Sequence, residues 1–198
     1  MQERLLKGRG EEMNEKTNAE GALQVPKILH ELFGRRTTKA EVTIVLVSCI
    51  ILSSFLLFHT YSEWSGFTAW KKALLIIITL YITGGVAANV TKGTNTYYQA
   101  SRTARLVFLG VHIQPLVLGW LFGNLLLATA VWISTIASAC IVTNIRGGGI
   151  QRTAGMASAL TVAGILILLA DPHFILNALL ALYIFKLVFS FAVDHDRN

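Results

Sequence analysis

The chain has 198 residues, of which 54% are hydrophobic and 14% charged, and a net charge of +6. A soluble domain carries about 25% charged residues, so a soluble fold is excluded over most of the length. The basic residues flank apolar stretches, which argues against nucleic acid and for anionic lipid headgroups as their natural partner.

Residues 1–24 read as a disordered cytosolic tail, with many charges, no aromatic residue and no periodicity. They show no secretory signal pattern. Met13 is a candidate natural start, preceded by Lys7-Gly8-Arg9-Gly10-Glu11-Glu12, which reads as a translated purine-rich ribosome-binding stretch.

In 25–40 the pattern changes. Val25, Ile28, Leu29, Leu32 and Phe33 fall at i, i+3, i+4, i+7 and i+8, one stripe of a helix. Pro26 suits its first turn and Gly34 its C-terminal cap. Lys27, Arg35, Arg36 and Lys39 flank the stripe. The expectation is a short amphipathic helix on the cytosolic membrane surface. A helix that docks on the rest of the protein fits the stripe equally well.

The region 41–193 reads as a polytopic transmembrane domain. Between Val42 and Ala170 the one acidic residue is Glu63. Six apolar stretches, at about 43–59, 72–90, 104–122, 125–143, 154–170 and 174–192, approach the roughly 20 residues that a helix needs to cross a bilayer. The stretch 106–145 is nearly continuous and is divided at Gly123-Asn124. A single kinked helix there would leave five spans.

The positive-inside rule favours six. The segments after the second and fourth spans carry Lys92, Arg102, Arg105, Arg146 and Arg152, and those after the third and fifth carry no Lys or Arg. Lys71 and Lys72, after the first span, run against the pattern. Both termini are then cytosolic, with 194–198 a short tail. The predicted fold class is an all-α membrane protein, a bundle of about six transmembrane helices preceded by a short amphipathic surface helix. The setting is a cell membrane crossed several times. Gly84-Gly85, Gly119-x3-Gly123 and Gly155-x3-Ala159-x3-Ala163 read as close-packing ladders. Cys49 and Cys140 lie inside apolar spans without CxxC spacing, which speaks against a disulfide or redox pair.

Polar residues within the spans are the candidates for function. A helix begun near Thr96 would put Tyr98, Arg102, Arg105 and His112 on one face, at i, i+4, i+7 and i+14. His112 then lies about 10 Å deeper than Arg105. Gln114 follows, and Pro115 would leave the Val111 carbonyl without its helical donor. Lys186 sits in the last span with Tyr183 and Ser190 on its face, about 12 Å before Asp194. Groups at such depth are costly unless paired or lining water. No carboxylate in a span offsets Lys186, which disfavours a cation-coupled pump and favours an anionic ligand.

The expected ligand-binding set is therefore Tyr98, Arg102, Arg105, His112, Gln114 and Lys186, around a cytosol-facing polar cavity for an anionic small molecule or lipid headgroup. The plainer reading is a hydrogen-bonded His112, a snorkelling Lys186 and a solvated basic loop. A membrane enzyme acting on a lipid-linked substrate, with His112 as acid/base, is the second expectation. A regulatory or scaffold protein acting through a membrane-protein partner, or as a homodimer, is the third.

On the outer side His59, Glu63, Asp171 and His173 offer ligands for a divalent metal. The simpler expectation is Asp171 capping the next helix with Pro172 in its first position. The sequence carries no HExxH, GxGxxG or nucleophile-elbow pattern, and no cofactor is expected.

Overall fold

The computed structural model describes residues 22–26 and 30–197. It is mostly helical, and six helices are long and apolar enough to cross a membrane: Lys39–His59, Ala69–Ala88, Arg102–Phe122, Leu125–Asn144, Gly148–Leu168 and Phe174–Phe191. In chain order the elements are β1 (Ala22–Gln24), α1 (His30–Phe33), β2 (Arg36–Thr38), α2 (Lys39–His59), α3 (Tyr61–Trp64), α4 (Ala69–Ala88), α5 (Lys92–Gln99), α6 (Arg102–Val111), α7 (Gln114–Phe122), α8 (Leu125–Asn144), α9 (Gly148–Leu168) and α10 (Phe174–Ile184). A π-helical segment, Phe185–Phe191, continues α10.

The start departs from the expected surface helix over 25–40. One helical turn, α1, is bracketed by β1 and β2, which pair antiparallel with Leu23 opposite Thr37. Gly34, at φ +69°, makes the turn back toward β2. Of the stripe, Phe33 is buried against Val45 and Ala88 with Val25 packed beside them, and α1 lies against α5. The strand at Ala22–Gln24 also replaces the end of the expected disordered tail. The rest of that tail, with Met13, and Ile28 and Leu29 of the stripe lie outside the described residues.

Local chemistry sets the helix ends. Thr38 and Glu41 form a reciprocal capping box at the start of α2, with Thr38 N donating to Glu41 Oε2 at 2.9 Å and Glu41 N to Thr38 Oγ1 at 3.1 Å. Gly123 ends α7 at φ +79°, where a side chain would be strained. Asn124 then caps α8 by accepting from Leu127 N at 3.2 Å. These two residues divide 106–145 into two membrane-length spans, so the single-helix alternative falls. The fifth long helix begins at Gly148, earlier than the expected 154, because Gly147 at φ +98° caps it.

The last helix is the centre of the bundle. It packs against α4, α7, α8 and α9, and Tyr183, Ile184, Leu187 and Val188 are fully buried. Gly119 lets α7 approach Ala128 of α8, where an added Cβ would also lie 2.9 Å from the Asn124 carbonyl. At the periphery, α2 packs on α4 and leaves Ile51, Phe55 and Phe58 exposed.

Candidate functional site

The polar residues expected on one helical face are divided among several elements. Ser101 ends the run from α5 and caps α6 by accepting from Ala104 N at 3.2 Å. Tyr98 therefore belongs to a different helix from Arg102 and Arg105. Its ring packs edge-on to Phe108 and Phe191, with centroids 4.7 and 5.1 Å away. Phe108 and Phe191 stack at 4.0 Å, and Phe108 lies 3.9 Å from the His112 ring. These rings stand between the arginines and His112. Arg102 is exposed. Arg105 is half-buried, donates to the Thr143 carbonyl at 3.4 Å, and its buried Nε has no partner among the described residues.

His112 is fully buried, and it lies in a break rather than in a helix. The backbone turns tightly there. Ile113 N donates to the Val111 carbonyl at 2.9 Å, so the carbonyl expected to be bare is satisfied. The freed acceptor is instead the His112 carbonyl, because Leu116 N donates to Ile113. It receives Tyr183 Oη at 2.7 Å and Trp132 Nε1 at 3.0 Å. Three long helices are thereby tied to one carbonyl.

The ring is equally engaged. Nδ1 faces the Phe108 carbonyl and Nε2 lies 2.8 Å from the Tyr81 hydroxyl. A carbonyl only accepts, so Nδ1 carries the proton in the neutral ring, and Tyr81 O–H donates to Nε2.

Lys186 converges on the same tyrosine. Its side chain is 1% exposed, and Nζ sits 3.5 Å from the centroid of the Tyr81 ring. Nζ makes no hydrogen bond among the described residues. Gly85 makes room for it, since a Cβ there would lie 2.8 Å from Nζ. The π-helical turn lets Asn89 Nδ2 reach the Lys186 carbonyl at 3.4 Å. Asp194, the one nearby carboxylate foreseen from sequence, accepts from Asn95 Nδ2 at 3.1 Å. A cation–π contact with a tyrosine is worth about 2 kcal/mol when desolvated, too little to replace an ammonium's water.

Of the six expected residues, the structure brings together His112 and Lys186, through Tyr81. Tyr98 stands in the aromatic stack, Arg102 and Arg105 beyond it, and Gln114 is half-buried with Oε1 unpartnered among the described residues. Tyr81 and Trp132 were missed. The signal for Tyr81 was a lone hydroxyl-bearing aromatic inside a span, one helical turn from Gly85, where the small residues had read as packing.

The outer candidates separate. His59 stacks on Phe55 at 5.6 Å and meets Phe174 edge-on at 6.2 Å. Glu63 Oε2 accepts from Ile175 N at 3.0 Å. Asp171 Oδ1 pairs with His173 Nδ1 at 2.6 Å and accepts His173 N at 2.8 Å, while Oδ2 takes Asn124 Nδ2 at 2.7 Å. Asp171 thus closes a turn, and His173, not Asp171, holds the cap position of α10. Among the described residues no group of three or more His, Cys, Asp or Glu is placed to hold a metal ion. Lys71, which broke the charge pattern, lies over the Trp120 ring at 5.0 Å and near Phe67 and Trp70.

No protein-family model matches the chain, and neither a curated protein nor a solved structure does.

Proposed function

We propose that the chain is a multi-pass cell-membrane protein, with both termini in the cytosol, that binds or transports a molecule bearing an anionic group. Lys186 is its counter-charge, in the cytosolic half of the bundle. The observation that carries this is a buried amine with no hydrogen-bond partner among the described residues, in a chain with no acidic residue between Ser65 and Ala170 or between Pro172 and Val193. A cation that deep costs about 3 kcal/mol, and an oxyanion offsets that cost with charge-assisted hydrogen bonds. Membrane lipids are the surrounding partners.

The enzyme reading has less support, because both ring nitrogens of His112 already have partners. Native mass spectrometry of protein extracted gently from its own membrane tests the proposal. An anionic molecule retained by the wild type and lost from Lys186→Gln supports it. A bare mass, or equal retention by both forms, refutes it.

A further inference from the structure

We propose that the ligand of Lys186 is an amphiphile, an oxyanion on an apolar chain, which reaches the amine sideways from the bilayer past Tyr81. This rests on the anion-binding reading above and names its ligand class and route.

Three routes lead to Lys186, and two are closed. From the cytosolic end the stacked rings of Phe108, Phe191 and Tyr98 stand in the way. Below them the chain's last described residues are tied across the helix ends. Asn95 Nδ2 donates to both Asp194 and Asp196 at 3.1 Å, and Arg152 Nη2 donates to the His195 and Arg197 carbonyls at 2.9 Å. From the outer end the way is filled by Leu75, Leu118, Leu176 and Leu179, all fully buried.

The side is different. Tyr81 is 39% exposed while Lys186 behind it is 1% exposed, so a single ring separates the amine from the surface of the bundle. The neighbouring surface on the third long helix is Val111 and Ile113, both exposed and apolar. Tyr81 lies seven residues before Ala88, the end of α4, or about 10 Å along the axis. At that depth the surroundings are hydrocarbon, so whatever passes Tyr81 must be soluble in it.

The Tyr81 hydroxyl is tethered by its 2.8 Å hydrogen bond to His112 Nε2. Swinging the ring outward breaks that bond and exposes two groups together: the Lys186 amine, a donor, and His112 Nε2, an acceptor. An oxyanion headgroup that also carries one proton, as a singly charged phosphate monoester does, matches that pair. Its O–H faces Nε2 and its second oxygen faces Nζ, while the apolar chain remains between α4 and α6 in the lipid.

The test is equilibrium and stopped-flow binding to purified protein in nonionic micelles. The probes are oleate and dioleoyl phosphatidate, with acetate and inorganic phosphate as their soluble counterparts. Expected for the wild type is saturable binding of one or both amphiphiles, undisturbed by millimolar acetate or phosphate. Lys186→Met weakens it about tenfold or more. Tyr81→Phe, which keeps the ring and removes the tether, speeds uptake severalfold. Soluble anions that bind as tightly, and as dependently on Lys186, overturn the amphiphile inference and leave the anion reading standing. Unchanged uptake in Tyr81→Phe overturns the side route. Absence of any Lys186-dependent binding overturns both readings.

Discussion

Two polar regions, one in a turn at the end of the bundle and one within it, are built on opposite principles. In the outer turn before α10, Asp171, Asn124, His173 and Asn177 saturate one another; Asn177 Oδ1 accepts from Asp171 N at 2.9 Å and Asn177 Nδ2 donates to the Asp171 carbonyl at 2.6 Å. At the inner node, Tyr81, His112, Trp132 and Tyr183 are likewise joined, yet the Lys186 amine is left out. The outer turn fastens helices. The inner node fastens helices and also keeps a donor whose burial costs stability, so the two regions respond differently when cut.

The largest expected effect is at Lys186. Replacing it with Met removes a buried amine that lacks a hydrogen bond and keeps the side-chain length, so the thermal midpoint rises, with about 2–3 kcal/mol gained. Ligand retention falls about tenfold or more. Gain of stability with loss of binding is the signature of a group held for function. A fall in the midpoint would place Lys186 with the fastening residues instead. Thermal unfolding and native mass spectra of the same preparation measure both.

Asp171→Ala comes next and has the opposite pattern. It strips partners from Asn124 Nδ2, His173 N and the His173 ring together, at about 1–3 kcal/mol for the buried polar groups left unmade. The midpoint drops and retention is unchanged, because the turn lies at the far end of α10 from Lys186. Loss of retention in this variant would show that the two regions are coupled.

Gly85→Ala is smaller and more specific. The new methyl meets the far end of the Lys186 side chain, which must shift, at a cost of about 1 kcal/mol, the low end for overpacking. In a Lys186→Ala background that cost vanishes, so a double-mutant cycle shows a coupling of similar size. Independent effects would mean that Gly85 packs against something other than the lysine.

The difference between the regions also explains how far the sequence could be read. The six long helices were legible because hydrocarbon imposes length and apolarity residue by residue, and Gly123-Asn124 carries its own turn chemistry. Lys186 and His112 stood out because ionisable side chains inside apolar runs are costly wherever they point. Their joining was not legible. It depends on a break at His112 and a π-helical turn at Phe185–Phe191, both set by tertiary packing and not by local propensity. A second break, at Ser101, puts Tyr98 on a different helix from Arg102 and Arg105, and with the break at His112 it defeated the single-face arrangement. The stripe at 25–33 does not form one helix: only His30–Phe33 is helical, and Phe33 meets the protein's own Val45 and Ala88, which periodicity could not foresee.

The smallest predicted effect is the share of the pH dependence that comes from the turn before α10. Burial there pushes the Asp171 carboxyl up. Hydrogen bonds from Asn124, the His173 backbone and the His173 ring, with the nearby His173 charge, outweigh burial and hold it below its ordinary 3.8. A carboxylate held low in the folded chain binds fewer protons than in the unfolded one. Its contribution is therefore complete above the ordinary value and is lost as pH falls through the folded one. Thermal midpoints measured downward from pH 5 should decline more in the wild type than in Asp171→Asn, which keeps the shape and cannot ionise. Parallel curves would show that the turn is held by its neutral hydrogen bonds alone. The contrast between a saturated outer end and an unsaturated inner node would then rest on geometry and not on charge.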